Sequence, residues 1–168
     1  MICPSCSHDN IAGSEICEEC GHDLAGLDLP SPSTGLQRHF LEDTLGELPM
    51  DHPANLSINA SVADAIEAMR AHGVGCVLVF DQDRLAGIFT ERDLLTKLAV
   101  EQQDLHKLGL REVMTPEPAL LHEVDTIAYA LNRMSVGGFR HVPVVRSDRP
   151  IGVVSIRDVL HYICTKLA

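Results

Sequence analysis

Four cysteines near the amino terminus carry the clearest chemical signal in this sequence. They form two Cys-x-x-Cys pairs, and such pairs can bring four thiolates to one metal ion from two tight turns. A segment of about 25 residues with few large apolar side chains needs a metal to fold, which favours a metal site over two disulfides. The spacing predicts structural zinc, with iron as an alternative because tetrahedral sulfur suits both metals. The predicted ligands are Cys3, Cys6, Cys17 and Cys20.

The charge distribution limits the partners that this chain can bind. The formal net charge is −11, and residues 1–37 contain no Lys or Arg. Nucleic acids are held largely by basic side chains, so no nucleic-acid partner is expected. Residues 115–168 carry 6 basic and 5 acidic side chains, so this last third accepts anions best. No apolar run reaches the roughly 20 residues of a membrane span, and no secretion signal is evident, so we expect a cytoplasmic protein without a membrane partner.

An internal repeat is the second strong signal. Residues 53–93 recur 65 positions later without a gap. In each copy, apolar runs and helical periodicity predict the order β-α-β-β-α, so the fold class is α/β (α+β). The unpaired Cys76 and Cys164 are expected in the core as small apolar residues. The matched pairs include Gly73 with Gly138, Gly87 with Gly152, Thr90 with Ser155 and Asp93 with Asp158.

These patterns divide the chain into four parts. The metal ribbon occupies residues 1–26, a linker with an amphipathic helix occupies 27–43, and the two repeats occupy 44–106 and 107–168. Prolines within 27–33 are expected to hold the linker extended. Apolar residues at three- and four-residue steps predict that the helix docks on the chain after it. They are Leu36, Phe40, Leu41, Leu45 and Leu48.

Several longer phrases occur in order across the two copies. They are Ala65-Ile66-Glu67-Ala68-Met69, Gly87-Ile88-Phe89-Thr90-Glu91-Arg92-Asp93, Met114-Thr115-Pro116, Arg140-His141-Val142-Pro143 and Gly152-Val153-Val154-Ser155-Ile156-Arg157-Asp158. In these phrases the repeat resembles the CBS domain, and the tandem resembles the two-repeat Bateman module. Residues 1–26, with the pattern C-P-x-C, a spacer and C-x-x-C-G, are similar to small zinc-ribbon modules.

The resemblance implies a pseudo-symmetric pair of repeats packed by their sheets. It implies clefts between the repeats that hold adenosine-type nucleotides, namely AMP, ADP, ATP or S-adenosylmethionine. It also implies a homodimer. We further expect a partner enzyme or transporter, for which the ribbon and the dimer would serve as docking surfaces.

The strand-to-helix junctions of the repeat fit such a ligand. Thr90 and Ser155 fall where a helix begins, and Asp93 and Asp158 follow three residues later. A helix amino terminus suits a phosphate, and an acidic side chain can accept hydrogen bonds from ribose hydroxyls. The same residues also fit capping boxes, in which both side chains only satisfy backbone donors.

The second repeat is the preferred anion site, because Arg140 and Arg157 lie in or beside its signature phrases. The first copy lacks the Thr-Pro pair at residues 49–53 and the proline at residues 77–79, which argues against a full base pocket in that copy. The predicted nucleotide-binding residues are Gly87, Thr90, Asp93, Arg140, His141, Val142, Pro143, Gly152, Ser155, Arg157 and Asp158.

No catalytic motif is recognisable in the sequence. It contains no Gly-x-Ser-x-Gly elbow, no phosphate-binding glycine loop ending in Lys and Ser or Thr, and no His-Glu-x-x-His helix. We therefore expect a non-catalytic regulatory sensor whose ribbon contacts a partner. Two alternatives remain: a ligand-free scaffold, and a rubredoxin-like iron electron-transfer module fused to the repeats.

Overall fold

The computed structural model describes residues 2–11, 14–24, 35–98 and 104–167. The predicted proline-rich linker at 27–33 lies outside these ranges. The described chain contains two mixed β-sheets with helices packed around them, which confirms the predicted α/β class. Within this part of the chain, no helix has the length and apolar character needed to cross a membrane.

A short helix and a 3-10 turn precede the first repeat. Helix α1 spans Gly35–Glu42, and the 3-10 turn spans Leu45–Glu47. The apolar periodicity continues to Leu48, but the α-helix ends earlier because the next backbone groups pair with the second repeat. The backbone N–H of Leu45, for example, donates to the carbonyl oxygen of Asp125 at 2.9 Å.

This opening segment packs on the second repeat. Phe40 contacts the core of that repeat, and Leu45 and Leu48 are buried within it. Leu41 is exposed. The side chain of Leu36, the first of the predicted periodic residues, lies outside the described ones.

The first repeat follows the predicted order. Ser61 caps its first helix by accepting a hydrogen bond from Asp64 N. Gly73 ends that helix with a φ of 66°, a left-handed conformation that favours glycine. The elements are β1 (Asn55–Ser57), α2 (Val62–His72), β2 (Cys76–Asp81), β3 (Arg84–Thr90) and α3 (Glu91–Leu98).

The second repeat has the same order after two short elements. Thr126 caps its main helix, and Gly138 ends that helix with a φ of 66°. The predicted β-α-β-β-α order is therefore confirmed in both copies. The elements are α4 (Leu110–Val113), β4 (Thr115–Pro116), β5 (Leu121–His122), α5 (Ile127–Gly137), β6 (His141–Arg146), β7 (Arg149–Ser155) and α6 (Ile156–Leu167).

The two repeats exchange their opening segments. Strand β4, which introduces the second repeat, pairs antiparallel with β3 and completes a sheet of order β1-β2-β3-β4. Asp51, which introduces the first repeat, bridges to Val153 at the edge of the sheet β5-β6-β7. The cores show the same exchange. Leu110 and Val113 of α4 are buried in the core of the first repeat, and Leu45 and Leu48 are buried in the core of the second. The sequence boundaries did not anticipate this exchange.

A third apolar cluster contains strand residues of both sheets, including Cys76, Leu78, Ile88 and Val153. Burial raises the pKa of Cys76 to about 12, so its thiol stays uncharged and packs as an apolar group. Cys164 on α6 is exposed, and the expectation of a core position is wrong for it because it lies on the outer face of that helix.

Candidate functional site

Each repeat presents the same junction where its last strand runs into its last helix. In the first repeat, the backbone N and the Oγ1 of Thr90 donate to Asp93 Oδ2, at 3.0 and 2.7 Å. In the second, the N and Oγ of Ser155 donate to Asp158 Oδ2, at 2.6 and 2.7 Å. The return bonds from the aspartate N–H groups to these hydroxyls are 3.4 Å, long for a helix cap. The four predicted residues therefore form two equivalent turns.

The two aspartates differ in the partners of their second oxygen. Asp93 Oδ1 accepts from Thr115 Oγ1 at 3.2 Å and from Lys97 Nζ at 2.7 Å. Burial acts to raise the pKa of Asp93, but the bonds from Lys97 and Thr90 outweigh it and lower the pKa. Asp158 Oδ1 has no hydrogen-bond partner in the described part of the chain. That oxygen is available to an added donor.

A first cleft of about 260 Å³ lies between the repeats beside the Thr90 junction. The end of β3 and the start of α3 form one wall, and the end of α5 forms the other. Arg92 spans the two walls by donating a hydrogen bond to the carbonyl oxygen of Gly138. Apolar atoms dominate the rest of the lining, which includes Ile88, Pro118, Ala119 and Phe139.

A second cleft of about 370 Å³ lies between the repeats beside the Ser155 junction. The end of α2 faces the start of α6 here, which is the same arrangement with the repeats interchanged. Three guanidinium groups line this cleft, those of Arg70, Arg140 and Arg157. None of them forms an ion pair or a side-chain hydrogen bond with a described residue. The second cleft therefore offers three arginines without a direct partner among the described residues, beside the carboxylates of Asp51 and Glu91.

Both clefts share a wall made of Glu91, Arg140 and His141. The ring of His141 packs against Gly75, where an added Cβ would lie only 3.1 Å from its Nε2. Burial lowers the pKa of His141 despite the opposing charge of Glu91. The ring is therefore uncharged at neutral pH.

The predicted glycines, Gly87 and Gly152, are packed against other segments of the protein and do not border open space. An added Cβ at Gly87 would lie 2.5 Å from Met114 Sδ, and one at Gly152 would lie 2.9 Å from Met50 Cβ. Both contacts come from the exchanged opening segments. Gly87 and Gly152 thus allow these segments to lie directly against β3 and β7.

The exchange also moves one of the two departures of the first copy to the other cleft. Asp51, in the segment that lacks the Thr-Pro pair, lines the second cleft beside Ser155. Thr115 instead lines the first cleft. Assigning the first-copy segment to the pocket of its own copy was therefore wrong. Burial and the charge of Asp158 raise the pKa of Asp51.

Five of the predicted residues do not line the first or the second cleft, namely Gly87, Gly152, Asp158, Val142 and Pro143. Val142 and Pro143 follow His141 along β6 and are buried, and neither lines the first or the second cleft. The geometry gives them no ligand contact there, because the strand passes into the sheet interior immediately after His141.

The four amino-terminal cysteines form one cluster, with all Sγ atoms within 4.8 Å of one another. The Sγ atoms of Cys3 and Cys20 lie 3.7 Å apart, and those of Cys6 and Cys17 lie 3.6 Å apart. Both distances are close to the edge of about 3.8 Å of a tetrahedron with Zn–S bonds of about 2.3 Å. Burial opposes ionisation of Cys17, yet N–H donors from Cys20 and Glu19 lower its pKa to about 6. The cluster fits one tetrahedral metal ion.

The known proteins that resemble this chain share its repeated unit. The CBS domain model matches twice, at residues 45–100 and 110–165. This chain belongs to the CBS-domain family. A mitochondrial CBS domain-containing protein of Arabidopsis thaliana is 35% identical over 105 residues, which are 60% of this chain and 51% of that protein. An uncharacterized 17.7 kDa protein of Acidianus ambivalens is also 35% identical, over 60% of this chain and 61% of its own length. The chain thus spans only part of these relatives.

Solved CBS structures share the fold described above. A protein with CBS domains from Burkholderia ambifaria superposes with a TM-score of 0.69 and 27% identity, covering 76% of this chain and 96% of that one. The CBS domain pair of protein MJ0100, in complex with 5′-methylthioadenosine and S-adenosyl-L-methionine, gives a TM-score of 0.65 at 24% identity, covering 73% and 97%.

Sequence reasoning missed part of the lining of both clefts in this CBS pair. Arg70 and Phe139 lie near the carboxyl ends of α2 and α5, outside the signature phrases. The constant offset carried a usable signal, because it pairs Gly73 with Gly138 at these two helix ends. If the end of each of these helices is placed opposite the strand-to-helix junction of the other repeat, Arg70 and Phe139 fall in the clefts.

Proposed function

We propose that this CBS pair is a non-catalytic regulatory module that senses adenosine-type nucleotides, with the nucleotide phosphate bound in the second cleft. One observation carries the proposal: Arg70, Arg140 and Arg157 face this cleft without a protein partner among the described residues. Guanidinium groups bind phosphate oxygens through paired, charge-assisted hydrogen bonds. A phosphate would therefore gain strong partners there without breaking existing ion pairs.

The junction at the start of α6 supplies the remaining contacts. The helix dipole favours an anion at the start of this 12-residue helix. Two N–H groups there already have protein partners, because Ile156 N donates to the carbonyl oxygen of Arg140 and Asp158 N donates to Ser155 Oγ. Asp158 Oδ1 has an open lone pair that a ribose hydroxyl can fill, while Asp158 Oδ2 stays bonded to Ser155. The complex of the MJ0100 pair with two adenosine compounds supports this ligand class for a pair of this fold.

A thermal-shift series tests the proposal. The full chain is melted with AMP, ADP, ATP and S-adenosylmethionine, and the same series is run on Arg157→Gln and Arg149→Gln. A ligand at 100 times its Kd stabilises the folded state by about 2.7 kcal/mol. We expect a nucleotide to raise Tm, Arg157→Gln to weaken its binding about tenfold or more, and Arg149→Gln, at the exposed first position of β7, to change nothing. No rise with any ligand would favour the scaffold alternative.

We also infer that the cysteine cluster holds a structural zinc ion and that the ribbon contacts a partner enzyme or transporter. The donor set supports zinc, because four thiolates in tetrahedral arrangement suit it. When bound, the metal closes the two Cys-x-x-Cys turns into one unit and supplies the free energy that so small a core lacks. The backbone repeats the same bond in each turn, from Cys3 N to His8 O at 2.9 Å and from Cys17 N to His22 O at 2.8 Å.

A homodimer is the assembly that the surface supports. Leu95 on α3 and Leu160 on α6 are equivalent positions, and both are exposed, at 68% and 55%. Burying two such leucines against a second copy would remove apolar surface from water. Light scattering on Leu160→Glu tests this proposal: a dimer that dissociates supports it, and an unchanged mass places the interface elsewhere.

A further inference from the structure

We propose that the first cleft binds an uncharged, phosphate-free adenosine-type nucleoside, so that the two clefts sort ligands by charge. The proposal rests on the nucleotide-sensing function proposed above and adds a separate ligand class for each cleft. Three features of the first cleft carry it: its charges, its apolar wall and one hydroxyl group.

The cations of the first cleft are already engaged. Arg92 donates to the carbonyl oxygen of Gly138, and Lys97 pairs with Asp93 at 2.7 Å. Glu91 places a carboxylate at the first position of α3, where a phosphate would approach the helix. Among the charged residues that line this cleft, Arg140 is the one cation without a described partner, and the second cleft shares it.

At the equivalent positions of the second cleft, the arginine has no partner among the described residues and the acidic residue is replaced by an apolar one. Arg157 replaces Arg92 and has no described partner, and Ile156 replaces Glu91 at the start of α6. Glu91 lines both clefts and Asp51 adds a carboxylate to the second, so the two clefts differ mainly in their cations. The second has Arg70 and Arg157 besides the shared Arg140, all without a described partner, whereas Arg140 is the one such cation in the first. Because both junctions have the same backbone geometry, the side chains alone set this difference.

The wall of the first cleft suits a flat, uncharged ring. Phe139 lines it together with Ile88, Pro118 and Ala119, whereas Val74 takes the place of Phe139 in the second cleft. An aromatic face and aliphatic side chains favour the burial of a purine ring by stacking and by the hydrophobic effect. The first cleft is also the smaller, at about 260 Å³ against about 370 Å³, as expected for a ligand without a phosphate chain.

A hydroxyl already occupies the place that a ribose hydroxyl would take. Thr115 Oγ1 donates to Asp93 Oδ1 at 3.2 Å, and Thr115 is exposed on the two-residue strand β4. A nucleoside hydroxyl can replace this donor without changing the charge around Asp93. The offset places Met50, which has no hydroxyl, at the equivalent position of the second cleft. The first junction is therefore matched to a neutral, hydroxyl-bearing ligand.

Calorimetric titration with adenosine and AMP tests the sorting. Wild type is compared with Ala119→Phe, which fills the first cleft, with Leu120→Phe, an exposed neighbour that lines neither cleft, and with Arg157→Gln. We expect adenosine to bind with the same affinity, within about twofold, whether or not AMP saturates the second cleft. Ala119→Phe should weaken adenosine about tenfold or more and leave AMP unchanged, which also shows that the variant is folded. Arg157→Gln should do the reverse, and Leu120→Phe should change neither.

Salt provides a second readout, because added salt weakens charge-dependent binding and leaves neutral binding nearly constant. AMP affinity should fall with ionic strength while adenosine affinity does not. Sorting is overturned if AMP displaces adenosine fully, or if adenosine fails to bind while AMP binds through Arg157; the nucleotide-sensing function then still stands. If neither compound binds and no nucleotide raises Tm, the sensing function and the sorting fall together.

Discussion

Tyr162 in α6 donates a hydrogen bond to Asp43, the residue that follows α1. The bond joins the last helix of the second repeat to the chain that precedes the first repeat. Asp43 also accepts from His39 Nδ1 at 2.8 Å and lies 3.9 Å from Lys166 Nζ. The bond from Tyr162, followed by the effects of His39 and Lys166, lowers the pKa of Asp43. This carboxylate ties α1 to the helix that begins at the second cleft.

Removing the hydroxyl tests this tie. Tyr162→Phe keeps the buried ring and deletes one hydrogen bond to a charged acceptor, which costs about 1.5–3 kcal/mol of unfolding free energy. Urea unfolding at neutral pH measures the loss. Tyr129→Phe is the control, because Tyr129 is 47% exposed and its hydroxyl has no described partner. Equal stability of the Tyr162 variant and wild type would show that the bond contributes nothing.

A signal from the second cleft has a direct route through this tie. Ligand contacts at Ser155 and Arg157 act on the start of α6, and Tyr162 lies further along the same helix. Hydrogen exchange in residues 35–48 should therefore slow when a nucleotide binds, and it should slow less in Tyr162→Phe. Unchanged exchange in this segment at saturating nucleotide would contradict coupling through α6.

Because an exchanged segment lies directly against Gly87, a single methyl group added there should lower the stability of the fold. In Gly87→Ala the new Cβ would meet Met114 Sδ at 2.5 Å and a backbone oxygen of Thr115 at 2.8 Å. Overpacking of this kind costs about 1–3 kcal/mol of unfolding free energy, or β4 must separate from β3. Gly35→Ala is the matched control, because nothing lies within 4 Å of its added Cβ. Chemical denaturation of both variants gives the comparison, and a Gly87 variant as stable as the control would disprove the packing.

The sequence predicted the regular elements and the two junctions correctly for one reason. A gap-free offset means that both copies fold alike, so Thr90 and Ser155 had to occupy equivalent turns. The exchange of opening segments was not predictable in the same way. Strand β4 has two residues, Thr115–Pro116, and a period of two cannot be seen in so short a segment. Its partner strand is fixed by packing across the interface, including the space beside Gly87.

The pH dependence of stability should report the buried ring of His141. Burial lowers its pKa, so the folded chain takes up this proton less readily than the unfolded chain. The ring therefore costs no stability above the unfolded value near 6.5, and its cost grows as pH falls from there towards the folded pKa. Glu91, Asp51 and Asp158 oppose this effect, and Arg140 adds to it.

Replacing the ring removes its titration. Between about pH 7 and about pH 5.5, the unfolding free energy of His141→Gln should fall less steeply than that of wild type. His161→Gln is the control, because His161 is exposed on α6. Parallel pH profiles for wild type and His141→Gln would mean that the three carboxylates fully offset the burial of the ring.

Metal analysis tests the ribbon independently of the clefts. We expect about one zinc ion per chain, because four thiolates complete a tetrahedral shell. Cys20→Ser should lower the metal content and speed hydrogen exchange in residues 2–11 and 14–24, since metal binding supplies about 10–16 kcal/mol in small zinc peptides. Cys164→Ser changes an exposed cysteine outside the cluster and should retain the metal. A coloured protein that bleaches on reduction would instead identify iron and favour electron transfer, and full metal content in Cys20→Ser would show that the cluster is not the metal site.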